Sequence, residues 1–86
     1  MEFDAEVPYG QGKALFRISK ENPGIYSAAL LRYDGDQQHS PPRVITLIRG
    51  IRGWTGSEND EILINVLGNL IEAHLTKSYR KQGSKK

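Results

Sequence analysis

The densest run of chemically capable side chains is Arg49-Gly50-Ile51-Arg52-Gly53-Trp54-Thr55-Gly56-Ser57, with two arginines, three evenly spaced glycines and the only tryptophan. A glycine-rich turn before a helix can hold phosphate, because unpartnered N–H groups and the helix dipole both favour an anion. This segment lacks the Gly-Lys-Ser/Thr of a P-loop and the parallel β-α-β unit of a dinucleotide site. Glu58, Asp60 and Glu61 follow at once and repel phosphate. The sequence therefore reads as a strand exit rather than a phosphate cradle. Arg49, Arg52 and Trp54 suit a different chemistry, a nucleic-acid platform where guanidinium groups meet phosphates and the indole stacks on a base.

Charge distribution gives that second chemistry modest support. The net charge is +2, too low to mark a polyanion binder. Residues 1–42 carry four basic and six acidic side chains, whereas 43–86 carry eight basic and four acidic. Lys77, Arg80 and Lys81 open a terminal stretch without acids. Such a stretch is a frequent nucleic-acid footprint, and it is equally what a helix C-terminus and a solvated tail favour. The second reading carries more weight at this net charge.

Acid–base and metal chemistry find little. His39 lies in Asp34-Gly35-Asp36-Gln37-Gln38-His39, which lacks the ligand number and spacing of a zinc or calcium site. Serines and threonines occur without a Gly-x-Ser-x-Gly elbow. There are no cysteines, hence no thiolate ligands, disulfides or cysteine nucleophiles. The expectation is no catalytic residue, no cofactor, no metal and no small-molecule substrate. No apolar run approaches the ~18 residues of a membrane span, and the acidic N-terminus has no signal-peptide core, so a cytoplasmic location is expected.

The elements that must position these residues follow from periodicity. Phe3, Ala5, Val7 and Tyr9 alternate with Glu2, Asp4 and Glu6, a strand with one apolar and one acidic face that Pro8 and Gly10 should end. The acidic face suits an edge strand guarded against aggregation, or pairing with Arg17 or Lys13. Lys13 to Ser19 is a second strand, Pro23-Gly24 suits a type II turn, and Ile25 to Tyr33 is the return strand. Asp34 to Pro42 reads as an unpacked loop, and the β-branched run Arg43 to Arg52 as a fourth strand. Ser57 is the expected N-cap, with Asp60 completing a weak capping box. At 100° per residue, Leu63, Val66, Leu67, Leu70, Ile71 and His74 share one side of the helix. Ile62, Ile64, Ala73 and Leu75 widen that stripe to roughly 220°, against the ~100° a surface helix needs.

The expected fold is α+β: a four-stranded antiparallel sheet, β-β-β-β-α, with one long C-terminal helix on one face. Residues 1–80 form a single domain and 81–86 a disordered basic tail. One helix cannot cover apolar residues on both sheet faces, such as Leu15 against Phe16, Leu31 against Leu30 and Ile48 against Leu47. The surplus points to a covering partner, most simply a second copy in a homodimer. Leu63, Leu67, Leu70, Ile71 and His74 are the candidate interface residues. The sequence thus reads as a small non-catalytic protein-interaction or subunit module. A nucleic-acid-binding module using Arg49, Arg52, Trp54, Lys77, Arg80 and Lys81 is the alternative.

Overall fold

The computed structural model describes residues 1–83, with side chains described through Thr76. Five strands and one helix follow in chain order: β1 (Glu2–Tyr9), β2 (Gly12–Asn22), β3 (Ile25–Tyr33), β4 (Val44–Gly50), β5 (Gly53–Gly56) and α1 (Glu61–Gly83). The class is α+β, as the periodicities imply, but the sheet has five strands rather than four. Of the expected disordered tail over 81–86, residues 81–83 end α1 and 84–86 lie outside the described residues. No helix among the described residues is long and apolar enough to cross a membrane.

The strands pair as an antiparallel meander in the order β1-β2-β3-β4-β5. Alternation puts Ala5, Val7, Ala14, Phe16, Ile18, Tyr26, Ala28, Ile45 and Leu47 on one face, all buried. Helix α1 packs on that face and touches β1, β4 and β5. Because β1 and β5 are the two edges, the sheet must curl around the helix to bring both against it. Leu63, Ile64, Leu67 and Ile71 close the core from the helix side. Among the described residues, α1 does not pack on the opposite, convex face of the sheet.

Turn chemistry explains the strand boundaries. Gly24 has φ 77, as the third position of a type II turn requires. Gly10, at φ 57, turns β1 into β2. Pro8 stays inside β1 because an edge strand tolerates the missing N–H. The fifth strand comes from the segment expected only to break the chain. Gly50 pairs with Gly53 around Ile51-Arg52, and Gly53 at φ 134 lets the chain return as a hairpin. Gly56 is then required by packing, since a Cβ there would sit 2.6 Å from the Thr46 carbonyl oxygen.

Two further expectations change. The helix N-cap is Asp60 and not Ser57: Leu63 N–H donates to Asp60 Oδ1 at 3.1 Å, and Ile64 N–H to its carbonyl at 3.0 Å. Ser57 instead extends the β4–β5 pairing, its Oγ accepting from Thr46 N–H at 3.1 Å. The loop after β3 is packed rather than loose. Asp34 Oδ1 accepts from Lys13 N–H at 2.6 Å, and Gln37 Nε2 donates to the Tyr33 carbonyl at 2.8 Å. A 3-10 turn over Gln37–His39 is capped by Asp36, and Pro41 is buried.

Candidate functional site

The sequence-derived interface residues divide by their place on α1. Leu63 is 4% exposed, and Leu67 and Ile71 are fully buried against the sheet of their own chain. They form the core and offer no surface to a partner. Leu70 is half-buried at its margin. His74 stacks on Phe3 of β1, with ring centroids 4.1 Å apart and planes at 9°. The helix stripe is wide because the curled sheet contacts it from two edges, which accounts for most of its apolar width within one chain. Ile62, at 78% exposure, is left outside.

The nucleic-acid residues are also redirected. Arg49 and Trp54 are cross-strand partners on the helix-facing side of the sheet. Arg49 Nη2 lies 3.0 Å from Glu72 Oε1 and ties β4 to α1. Trp54 packs over Gly68 and meets Tyr26 at a centroid distance of 5.5 Å. Its indole Nε1 is buried and has no hydrogen-bond partner among the described residues. Trp54 is half-buried in this seam, whereas Arg49 remains half-exposed beside Glu72. Arg52 is exposed in the β4–β5 turn. The side chains of Lys77, Arg80 and Lys81 lie outside those described.

Concave surface is shallow and poor in reactive groups. One hollow, about 490 Å³, lies between β5 and the start of α1, where Trp54, Thr55, Glu58, Glu61 and Asn65 meet without a histidine. A second, of about 350 Å³, brings Tyr9, His39 and Asp60 to its rim. Burial raises the Tyr9 hydroxyl above its usual range, and the Asp60 charge adds to that, so it stays protonated at neutral pH. His39 Nδ1 is held 2.9 Å from Asp36 Oδ2 in the same 3-10 turn. The Asp36 carboxyl is lowered, first by the Gln38 N–H it accepts and then by His39. No group of three or more potential metal ligands occurs among the described residues.

What stands out instead is the convex sheet face. Alternation that buries Ile45 and Leu47 turns Val44 and Ile48 outward, at 61% and 44% exposure. Leu31 joins them at 45%. It is the extra residue of a bulge, because Phe16 pairs with Leu30 while Leu15 pairs with Arg32. Leu15 and Ala29 lie half-buried between these side chains. Near the acidic edge, Arg17 Nε sits 2.9 Å from Asp4 Oδ1. That hydrogen bond lowers the Asp4 carboxyl and raises the Arg17 guanidinium. Arg32 and Arg43 flank a hollow of about 330 Å³ at the other end. Sequence reading named Leu15, Leu31 and Ile48 as surplus but passed over Val44, Arg32 and Arg43. The alternation through Ile45 was enough to expose Val44; the bulge that places Leu31 beside Arg32 had no sequence signal.

Comparison with protein-family models, with curated proteins and with solved structures finds no match.

Proposed function

We propose that the chain is a non-catalytic binding domain whose working surface is the convex face of its sheet. The observation that carries this reading is the outward set Leu31, Val44 and Ile48, exposed by 44–61% on the face opposite α1 among the described residues. Strand alternation gives a solvated antiparallel face polar side chains, and Asp4, Arg17, Ser27 and Thr46 follow that rule here. The apolar members depart from it on two adjacent strands, β3 and β4. An apolar patch of this kind rimmed by charge is the usual mark of a protein contact. The nucleic-acid alternative has less support, because Trp54 packs over Gly68 and Arg49 is paired with Glu72. A cytoplasmic setting belongs to the same reading.

Site-specific photo-crosslinking in cells tests it. A benzophenone side chain replaces Val44, or Gln11 at the exposed β1–β2 turn as the control. A discrete adduct from position 44 and none from position 11 is expected. No adduct at 44, or the same adducts from both positions, refutes the reading.

A further inference from the structure

We infer that the free edge of β5 takes up an extended peptide bearing lysine or arginine, which joins the sheet as a sixth, antiparallel strand beside α1. This surface is separate from the convex face, so the inference goes beyond the reading above. The sheet is open, and β5 pairs with β4 alone. Along an antiparallel strand, alternate residues turn their N–H and C=O toward one neighbour and the rest turn them to the other side. Ser57 N–H donates to the Thr46 carbonyl at 3.0 Å. By that alternation Thr55 and Gly53 also face β4, opposite Ile48 and Gly50. Trp54 and Gly56 therefore direct their N–H and C=O away from β4, and these groups have no partner among the described residues.

The two edges of the sheet differ. Lys20 N–H donates to the Met1 carbonyl at 3.2 Å, so Glu2, Asp4, Glu6 and Pro8 are the outward residues of β1. Three carboxylates and a missing donor guard that edge. On β5 both outward residues keep their N–H, and the hollow of about 490 Å³ opens beside them toward α1.

Side chains around the hollow set what an added strand should carry. Residues opposite one another in a ladder place their side chains on the same face. Partner residues paired with Trp54 and Gly56 thus point toward α1, because Trp54 packs over Gly68 and Gly56 lies against Ile64. Glu61, Asn65, Gly68 and Glu72 recur along α1 at helical spacing and form its flank beside β5. Glu72 is already taken by Arg49. Glu58 and Glu61 line the hollow, form no ion pair among the described residues and have no lysine or arginine beside them in its wall. A strand with a cation at these positions gains main-chain hydrogen bonds from β5 and a charge complement from the hollow, the two parts of recognition by strand addition. A second copy offers no such strand: its β1 edge is acidic, and its β5 edge brings Glu58 and Glu61 of its own.

NMR titration of the isotope-labelled, unaltered chain with the blocked peptide acetyl-Thr-Arg-Val-Arg-Thr-amide tests the inference. Its two arginines match Trp54 and Gly56, and its valine turns to the convex side. Saturable shifts centred on the Trp54, Gly56 and Asn65 amides are expected at about 50 mM salt, with affinity falling about threefold or more at about 200 mM. Glutamate in place of both arginines should weaken binding about tenfold or more. Methylation of the two arginine amide nitrogens removes the donors that face β5 and should abolish binding. Methylation at valine, whose N–H points away from β5, should change affinity by no more than about twofold. E58Q/E61Q, with folding confirmed by circular dichroism, should weaken the arginine peptide about fivefold or more. No saturation by about 5 mM peptide, shifts centred elsewhere, equal loss from both methylation patterns, or indifference to either charge change overturns the inference. The convex-face reading fails or stands separately, since crosslinking from position 44 samples the other side of the sheet.

Discussion

Replacing Gly68 by alanine separates helix propensity from packing at the centre of the fold. In an exposed helix the change should stabilise by about 0.8–1.0 kcal/mol. Here a Cβ at position 68 would fall closer than 3.0 Å to Cγ, Cδ1 and Cδ2 of Trp54. These atoms are at the root of the indole and cannot swing away without moving the whole ring. Overpacking of this kind costs about 1–3 kcal/mol, so G68A should destabilise by about 1 kcal/mol net. The sign reverses once the obstacle is gone. W54A alone should cost about 2–3 kcal/mol, less than the ~3–5 kcal/mol of a fully buried aromatic because Trp54 is half-buried. On that background G68A should stabilise by about 1 kcal/mol, which makes the coupling between the two sites about 2 kcal/mol. Urea unfolding followed by far-UV circular dichroism, at one fixed protein concentration, measures all four corners. A stabilising G68A in the otherwise unaltered chain refutes the reasoning, as does a coupling near zero.

Three other outcomes follow from contacts described above. Asp60→Ala should lower stability by about 1 kcal/mol through loss of the N-cap, and Ser57→Ala by clearly less; the reverse order in urea unfolding would return the cap to Ser57. The Gln38 amide resonance should titrate with a midpoint below 3.8, the ordinary aspartate value, because Asp36 is lowered in the fold. Its contribution to stability is present above the unfolded value and lost as pH falls through the folded one, so the 3-10 turn should loosen only at strongly acid pH; a midpoint above 3.8 in an NMR titration contradicts this. Arg49→Gln should cost no more than about 1 kcal/mol, less at high salt, since its pair with Glu72 is half-exposed; a loss independent of salt would show a role other than that pair.

Local chemistry made much of this fold legible. The period of two in β1, the Pro23-Gly24 turn and the limits of β3 all appear in the sequence, because alternation and turn residues act over a few neighbours. The β4–β5 hairpin did not, since Gly53-Trp54-Thr55-Gly56 contains two glycines and reads as a break. It is a strand because Trp54 packs on Gly68 and Gly56 admits Ile64, contacts with a helix that comes later in the chain. The same long-range cause explains the N-cap. Ser57 is the better local candidate, but its hydroxyl is drawn into the β4 ladder. The candidate site was legible in part. Leu31 and Ile48 were identifiable as surplus apolar residues, whereas Leu63, Leu67 and Ile71 gave the same signal while belonging to the core. Which apolar residues remain outside depends on how far the sheet curls, and curvature is a property of all five strands together.

The order of the elements also bears on how the chain matures during synthesis. Every strand pairs with its predecessor, so the meander can assemble as the chain emerges, in the local, low-contact-order manner that favours rapid folding. Its concave side has no cover until α1, which follows all five strands, has left the ribosome. At roughly 5–20 residues per second, the 23 residues of α1 need a second or more. For that interval Phe16, Ile18, Ile45 and Leu47 face water with no helix above them. The nascent sheet is then a client for any holdase nearby, and the carboxylates along β1 help keep its first edge from recruiting a neighbouring nascent strand.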